Sequence, residues 1–375
     1  MTPTTQTIRL ATYASESSVT RDPDTNVLVR QVTAHPSIHH HPFFYIPAYD
    51  DAGRWLIFVS HRSGAPRIFV EERAAGRLVQ LTDRNDLNEW SVHPSHDGRH
   101  VYFTAGNGAW RVRTDDGREE CLVDFGSQPM LPQGMVGAAM GTTSLSHDDR
   151  WWAVPVRSGA VTQLHIIDTA SGSCRTILEQ NLVGHPQFHP QDANLLRYLG
   201  PAPDYEWMWI LQRDGSGHRQ IFRRNAAQRE WLVHAIWNPV RREVLAVNWP
   251  HGIIGVDIDT GAVRSVCGFK AWHAALSRDG RYAVCDTNLP DLGLQLFDPQ
   301  NGPARPQLLC RSEASSVGAH WNTDHCPYDD GPVQVFAPQH THPHPSFSPD
   351  SRRVVFTSDR TGHAQIYEAL LPDDY

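Results

Sequence analysis

The stretch SPDSRRVVF, residues 348–356, joins a polar turn to an apolar run, and SRDGRYAV, residues 277–284, repeats the same pattern. In both stretches Ser and Asp stand two residues apart, and β-branched or aromatic residues follow within three residues of the turn. Ser, Asp and Gly are typical turn residues, and the runs behind them have the composition of strands. The recurrence indicates an internal repeat.

Weaker copies of this turn precede apolar runs elsewhere in the chain. They lie at residues 49–53, 95–98, 146–149, 189–192 and 238–239. With anchors at 49, 95, 146, 189, 238, 277 and 348, the first five intervals span 39 to 51 residues and the last spans 71. About 40 to 50 residues is the length of a four-stranded propeller blade. Since no helical periodicity competes, the sequence predicts an all-β fold, a seven-bladed β-propeller.

The N-terminal sequence predicts how the propeller closes. VRQVT, residues 29–33, resembles LVQLT, residues 78–82, which ends the first unit. We therefore expect the N-terminal segment to supply the outer strand that completes the last blade. The predicted organisation is one domain over residues 1–375, with an N-terminal extension at 1–26 and a long insertion at about 287–338 near the channel mouth.

Charge and cysteine usage narrow the possible partners. The chain has 375 residues, with 33 basic and 41 acidic side chains and a formal net charge of −8, which argues against nucleic acid and anionic membrane as partners. No apolar run reaches the roughly 18 residues of a membrane helix, and the N-terminus lacks an apolar signal region. Six cysteines without a C-x-x-C pair predict neither a zinc ribbon nor a disulfide framework. A soluble, cytoplasmic protein is expected.

Histidines recur at one position of the repeat. Four residues before the turn anchor, four of the seven units carry His185, His234, His273 and His344. Because the innermost strands of a propeller line its central channel, residues in the same register are predicted to meet around the axis. A single inward histidine is as often a hydrogen-bonded core residue. Four in register favour a functional cluster.

A metal site is predicted at the last of these positions. His342 lies two residues before His344, so both side chains point to the same face of an extended strand. Gln339 precedes them in a loop, and His273 comes from the neighbouring blade. Three imidazole nitrogens and one amide oxygen form a plausible site for a divalent transition metal with open positions for substrate.

Two other groups are candidates for substrate contact. In the internal triplet at 39–41, His39 and His41, or His40 alone, could face the channel, and a solvated loop is the alternative. Trp207, in the sequence EWMW, is most simply a core residue, with a platform for stacking sugar as the second interpretation.

These residues together resemble a known family. QHTHPHPSF at 339–347, with TSD at 357–359, resembles the oligogalacturonate lyases, seven-bladed propellers that cleave short pectin fragments in the bacterial cytoplasm. Further matches cover most of the chain: HHH at 39–41, QFHP at 187–190, NLL at 194–196, MW at 208–209, DGS at 214–216, and His234 before Ile236-Trp237.

The resemblance implies roles for particular residues. It implies a manganese ion held by His273, Gln339, His342 and His344, and a catalytic base at His234. The family has an arginine that binds substrate where this chain has Trp207, so another uronate-containing oligosaccharide becomes a candidate substrate.

The predicted activity is β-elimination on a uronate-containing oligosaccharide. A base removes the C5 proton while the metal binds the uronate carboxylate, and His185 is the candidate for contacting substrate or steadying the leaving oxygen. A monomer or a homodimer is expected. The alternative is a non-catalytic propeller that binds carbohydrate or protein, similar to the Tol-system protein, which would have no histidine ring.

Overall fold

The computed structural model describes residues 11–126, 141–200, 208–225, 227, 230–288, 290–315 and 341–372. Their regular structure consists of short strands rich in β-branched and aromatic residues, as the repeat predicts. A 3-10 turn spans Glu89–Ser91. No helix in these residues has the length and apolar character needed to cross a membrane.

The strands form seven antiparallel sheets, each of which is one blade. The N-terminal strands are β1 (Thr12–Tyr13), β2 (Ser18–Arg21) and β3 (Leu28–Gln31). Blades one to three contain β4 (His39–His40), β5 (Trp55–Ser60), β6 (Arg67–Glu72) and β7 (Arg77–Gln80); β8 (His93–Pro94), β9 (His100–Ala105), β10 (Gly108–Arg113) and β11 (Glu119–Asp124); and β12 (Ser144–Leu145), β13 (Trp151–Ser158), β14 (Val161–Asp168) and β15 (Cys174–Gln180).

The remaining blades follow the same order from the inner to the outer strand. Blades four to six contain β16 (Gly184–His189), β17 (Asp192–Leu199), β18 (Met208–Gln212) and β19 (Arg219–Phe222); β20 (Trp231–Trp237), β21 (Glu243–Trp249), β22 (Gly252–Asp257) and β23 (Val263–Cys267); and β24 (Ala274–Leu276), β25 (Ala283–Cys285), β26 (Leu294–Phe297) and β27 (Gln307–Cys310). Blade seven begins with β28 (Ser346–Phe347), β29 (Arg353–Ser358) and β30 (Gln365–Leu370).

The predicted seven-bladed propeller and its closure are confirmed. Strand β3 pairs antiparallel with β30, with Val29 opposite Ala369 and Gln31 opposite Tyr367, so the N-terminal segment completes blade seven. Within the predicted extension at 1–26, β2 adds a fifth strand to the same sheet and β1 adds one to blade one. Tying the first blade to the last removes the free edge that an open ring would leave.

The expected insertion at about 287–338 differs from the structure in its first part. Strands β26 and β27 fall inside this interval and pair with β25 as the outer half of blade six. Blade six therefore occupies the chain as far as Cys310, and the extra residues of the last interval follow it. The extra sequence therefore begins later than predicted.

The repeated turn forms the same pair of hydrogen bonds at the end of the inner strand in four of the blades. In the turn at 277–280, the Ser277 hydroxyl donates to Asp279 at 2.6 Å and accepts from the backbone N–H of Tyr282 at 3.0 Å. The turns that start at Ser95, Ser146 and Ser348 make the same two bonds. The Ser-x-Asp pattern therefore fixes the turn that leads from the first to the second strand of a blade.

The core lies between neighbouring blades and around the axis. The segment after β4 places Phe43 at the centre of the ring of blades. Its ring centroid lies 5.7 Å from that of Trp90, 5.1 Å from His185, 6.2 Å from His273 and 5.0 Å from His344. These partners belong to, or lie directly before, blades two, four, six and seven. A single side chain reaches all of them only from the propeller axis, so this segment fills the channel beneath the histidines.

Candidate active site

Three histidines from two neighbouring blades meet at one buried point. His273 immediately precedes β24 in blade six, and His342 and His344 lie just before β28 in blade seven. One ring nitrogen of each lies within 4.8 Å of the others, and the side chains are only 2–4% exposed. The ring centroid of His273 lies 4.1 Å from that of His344 and 5.6 Å from that of His342. Two of the four histidines that share the register position, His273 and His344, thus meet here together with His342.

Asp286 holds two of these residues in place. Its carboxylate accepts the His273 backbone N–H at 2.6 Å, lies 2.8 Å from Nδ1 of the same residue, and accepts the backbone N–H of His344 at 3.2 Å. A proton on Nδ1 of His273 directs the lone pair of Nε2 away from the carboxylate. Burial raises the pKa of Asp286, while the hydrogen bonds from the backbone N–H groups of His273 and His344 favour its carboxylate form.

The electrostatics of the cluster keep its imidazoles neutral. Burial, followed by the effect of neighbouring imidazoles, holds the pKa values of His273 and His344 well below 6.5. Neutral imidazole is the form that binds metal. In the described part of the chain, Nε2 of His344 is buried without a hydrogen-bond partner. A lone pair left unpaired in this way costs stability unless a ligand occupies it, so the donor set fits a divalent metal ion.

His234, from blade five, stands beside the cluster. Its ring centroid lies 4.2 Å from that of His273, and its Nδ1 lies 2.8 Å from the backbone carbonyl of Trp272. A carbonyl oxygen only accepts, so Nδ1 carries the proton and Nε2 carries the lone pair. The Trp272 ring packs at 4.5 Å against the imidazole and fixes its orientation. This arrangement suits a base.

Three of the four in-register histidines have an unusual backbone conformation. His185, His234 and His344 adopt φ values of 49°, 50° and 47°. The pairing of β16 with β17 shifts register next to His185, and that of β20 with β21 shifts next to His234. A residue other than Gly with positive φ costs about 1–3 kcal/mol and is typical of functional sites. The bulges turn these side chains away from the regular strand direction.

His185 contacts Phe43, whose ring also lies near His273 and His344. The two rings stack at 5.1 Å with an interplanar angle of 9°. Its Nδ1 lies 3.1 Å from the Thr142 hydroxyl and 3.4 Å from the Tyr45 hydroxyl. Burial and the positive charge of Arg197 lower the pKa of His185 to about 3, so its imidazole is neutral.

Comparison with known proteins identifies the family to which this chain belongs. No family model matches the chain. The oligogalacturonate lyase of Dickeya dadantii is 30% identical over an alignment of 389 positions, which covers 94% of this chain and 95% of that protein. The chain belongs to the oligogalacturonate lyase family. An oligogalacturonide lyase of Pectobacterium atrosepticum is 27% identical over 222 residues, 55% of each chain. The membership confirms the resemblance and the prediction of a lyase enzyme, and it argues against a non-catalytic propeller of the Tol-system type.

Solved structures of this lyase family share the architecture. An oligogalacturonate lyase from Vibrio parahaemolyticus superposes with a TM-score of 0.80 at 21% identity, covering 97% of this chain and 99% of that one. An oligogalacturonate lyase in complex with manganese gives a TM-score of 0.81 at 21% identity, covering 97% and 98%. Both comparisons show that the propeller is the fold of these lyases.

The histidine triplet of this lyase-family chain is buried, so the solvated-loop alternative does not hold. His39 has its Nδ1 3.0 Å from the Ser37 carbonyl and its Nε2 3.3 Å from the Arg62 guanidinium, away from the central cluster. His41 has its Nε2 3.3 Å from the Pro343 carbonyl, beside the segment that carries the cluster. The substrate contacts assigned to His39 and His41 stay predictions.

The middle histidine of the triplet takes part in a second group of side chains. Both His40 and His61 direct Nε2 at one carboxylate oxygen of Glu89, at 2.9 and 2.8 Å. The His40 ring packs on Trp90 at 4.5 Å. These contacts connect blade one to the turn before blade two.

Two of the predicted site residues lie outside the described residues. They are Gln339, predicted as a metal ligand, and Trp207, predicted as a substrate contact. The sequence analysis in turn missed Asp286 and Arg197, both of which are buried beside the histidines. A polar residue directly after the apolar strand β25 was the available signal for Asp286. Nothing in the repeat distinguishes Arg197.

Proposed function

We propose that this chain is a metal-dependent lyase that cleaves a uronate-containing oligosaccharide by β-elimination. The observation that carries the proposal is the meeting of imidazoles from blades five, six and seven at one buried point. The relatives at 30% and 27% identity are named as lyases of oligogalacturonate and oligogalacturonide, and a solved structure of the same fold holds manganese.

His273, His342 and His344 are the proposed metal ligands, with Gln339 as the fourth. Three imidazole nitrogens and an amide oxygen leave coordination positions open and suit a divalent transition metal, for which manganese is the candidate. When bound, such an ion neutralises the uronate carboxylate and stabilises the negative charge that develops on it as the C5 proton leaves. Asp286 supports the site by orienting His273.

His234 is the proposed base. Its Nδ1–H donates to the Trp272 carbonyl, so Nε2 carries the lone pair that is proposed to take the C5 proton. The C5–H electrons then form the C4–C5 double bond, the C4–O bond breaks, and the leaving oxygen takes up a proton, for which water is sufficient. A correctly placed base contributes about 10² to 10⁴ in rate. His185 is proposed to contact the substrate or to steady the leaving oxygen.

The remaining properties of the lyase stay predictions. They are the substrate contacts of His39, His41 and Trp207, the monomeric or homodimeric state, and the cytoplasmic location. An oligosaccharide substrate, with neither nucleic acid nor membrane as partner, agrees with the net charge of −8.

The test is to incubate the purified protein with a panel of uronate oligosaccharides and to follow the ultraviolet absorbance of a C4–C5 unsaturated product. We expect product from at least one member of the panel. We also expect a chelator to stop the reaction and added Mn²⁺ to restore it. A rate that a chelator leaves unchanged would show that the metal-dependent mechanism is wrong.

A further inference from the structure

His40, His61 and Glu89 bring a second set of ligand atoms together, and they share no residue with the proposed catalytic site. Nε2 of His40 and Nε2 of His61 lie 2.9 and 2.8 Å from the same carboxylate oxygen of Glu89. The ligand atoms of the three side chains all lie within 4.8 Å of one another. His40 belongs to β4, His61 directly follows β5, and Glu89 begins the 3-10 turn before blade two. The group therefore joins two blades.

A hydrogen bond on the other side of the His40 ring fixes which nitrogen carries the proton. Nδ1 lies 3.1 Å from the backbone carbonyl oxygen of His41, which can only accept, so Nδ1 is the donor. In a neutral imidazole Nε2 then carries a lone pair, and this lone pair faces an oxygen of the Glu89 carboxylate, which is also an acceptor. Two acceptor atoms 2.9 Å apart repel each other unless a cation lies between them. The arrangement therefore requires either a proton or a metal ion.

The burial of His40 favours a metal ion over a proton. A proton would turn the ring into an imidazolium, and because the side chain is only 2% exposed, the charge would lose most of its hydration. A metal ion leaves the ring itself neutral, which is the form that ligates, and its charge lies beyond Nε2, on the side of His61 and Glu89. A histidine that ligates through Nε2 usually donates its Nδ1–H to a carbonyl or carboxylate, as His40 does to His41.

The distances and the exposure of the group suit a site with three protein ligands. Zinc bonds of about 2.0–2.2 Å at tetrahedral angles place two ligand atoms roughly 3.3 Å apart, so each imidazole has to move from Glu89 by only about half an ångström. The side chains of His61 and Glu89 are 23% and 20% exposed, which gives an ion a path from solvent and leaves a coordination position for water. The neighbouring Arg62 is paired with Glu16 at 2.9 Å, so its positive charge is compensated.

We infer that His40, His61 and Glu89 bind a divalent metal ion of the zinc type, separate from the proposed manganese site. Two imidazoles and one carboxylate are a ligand set that zinc takes in proteins, with the fourth position left to water. Mn²⁺ lies at the low end of the affinity order of the first-row divalent ions, so this three-ligand site should hold Zn²⁺ and release Mn²⁺ on dialysis. The bound ion ties blade one to the turn before blade two. The inference does not depend on the lyase activity.

The first measurement is the zinc content per chain after loading with Zn²⁺ and gel filtration. We expect two ions in the wild type, one in His61→Phe, one in His342→Ala, which lacks a ligand of the proposed first site, and none in the double variant. His96→Phe is the matched control, because it removes another imidazole that is paired with a carboxylate, that of Asp149 at 2.6 Å, and it should keep both ions. A single ion in the wild type that His342→Ala loses, or two ions in His61→Phe, would overturn the inference. A shared proton would then explain the cluster.

The second measurement keeps the inference testable if His61→Phe folds poorly. Titration of His342→Ala with Co²⁺ should give a saturable visible absorption band, and Zn²⁺ should abolish this band because it binds the same ligands more tightly. Adding Glu89→Gln, which keeps the shape of the side chain but removes its charge, should weaken Co²⁺ binding at least tenfold. A folded His342→Ala protein without a saturable band, or with a band that Glu89→Gln leaves unchanged, would contradict the inference.

The third measurement is thermal unfolding of His342→Ala with and without Zn²⁺. At about 100-fold excess over its dissociation constant, zinc should raise the melting temperature by at least about 3 °C. The same addition should leave the variant that also carries His61→Phe unchanged. Equal shifts in the two proteins would show that zinc binds elsewhere and that the inference is wrong. Since these measurements use no substrate, their outcome is independent of whether the protein is a lyase.

Discussion

The two ends of the inner strands contrast sharply. At one end the repeated turns satisfy their own polar groups: the hydroxyls of Ser95, Ser146, Ser277 and Ser348 each donate to an aspartate and accept a backbone N–H. At the other end, three histidines adopt positive φ, and Nε2 of His344 is buried without a partner in the described residues. Blade seven shows both features on one inner strand, since Ser348 satisfies its hydrogen bonds at the turn and His344 leaves Nε2 without a partner in the described residues.

This difference distinguishes the residues that stabilise the fold from the residues that form the candidate active site. At the turn end, the residues favour the turn conformation and also satisfy their own hydrogen bonds. This agreement is expected of a segment whose role is to stabilise the fold. At the histidine end, the positive φ values and the Nε2 of His344 without a partner in the described residues are tolerated because the surrounding blades hold these residues in place. Substitutions at the histidine end should therefore change activity more than stability, and those at the turn end should do the opposite.

The largest effect is expected from loss of a metal ligand. His342→Ala should lose bound manganese and reduce kcat/KM by about 10³ or more, because the several kcal/mol that a bound ion contributes correspond to factors of that size. Metal content by mass spectrometry and product absorbance check this. His251→Ala, at an exposed histidine, is the control and should retain both. A metal-loaded, active His342→Ala variant would contradict the ligand assignment.

Loss of the proposed base should reduce activity without loss of metal. His234→Gln is expected to lower kcat by about 10² to 10⁴, the usual contribution of a general base. Its manganese content should match that of the wild type, because Nδ1 of His234 is committed to the Trp272 carbonyl and the three proposed ligands are intact. Loss of metal from this variant would make His234 a ligand instead of the base.

Asp286 should have a smaller effect, through His273. Asp286→Asn keeps one acceptor oxygen but cannot accept from the His273 ring and from two backbone N–H groups as the carboxylate does. We expect manganese affinity to fall about 10- to 100-fold, with kcat near the wild-type value once metal is saturating. Titration of the metal-free protein with Mn²⁺, followed by activity, gives both quantities. A low kcat at saturating metal would mean that Asp286 acts in the reaction itself.

The sequence predicts the turn end and the position of the cluster well, for a physical reason. A turn that satisfies its own hydrogen bonds needs Ser and Asp at fixed spacing, so the repeat is visible in the chain and gives the seven blades. Register within the repeat then predicts His273 and His344 near the axis, strand alternation adds His342, and the structure brings the three side chains together. Both inferences depend only on local sequence and the symmetry of the fold.

The rest depends on contacts between blades, which no local pattern encodes. Asp286 reaches His344 across 58 residues of sequence, and the burial of Arg197 is visible only in the packed structure. His185 has a positive φ at a bulge between β16 and β17, and the sequence pattern of the strand does not predict that bulge.

At the turn end, stability should change and activity should not. Ser277→Ala removes a buried hydroxyl that makes two hydrogen bonds, so we expect the free energy of unfolding to fall by about 1–3 kcal/mol. Urea unfolding measures this, and kcat/KM per folded molecule should stay within twofold of the wild type. A drop in kcat/KM comparable to that of Asp286→Asn would mean that the two ends of the strand are coupled.

The smallest effect concerns the pH dependence of the same turn. Although partial burial acts to raise it, hydrogen bonds from the Ser277 hydroxyl and the backbone N–H of Arg281 hold the pKa of Asp279 below its ordinary value of 3.8. The folded state therefore binds fewer protons than the unfolded state between the two pKa values, so this contribution is complete above pH 3.8 and disappears as the pH falls through the folded value. Asp279→Asn should lower the urea midpoint at pH 6 but converge with the wild type in strong acid. Parallel curves for the two proteins from pH 6 to pH 2 would show that the carboxylate charge does not stabilise the turn.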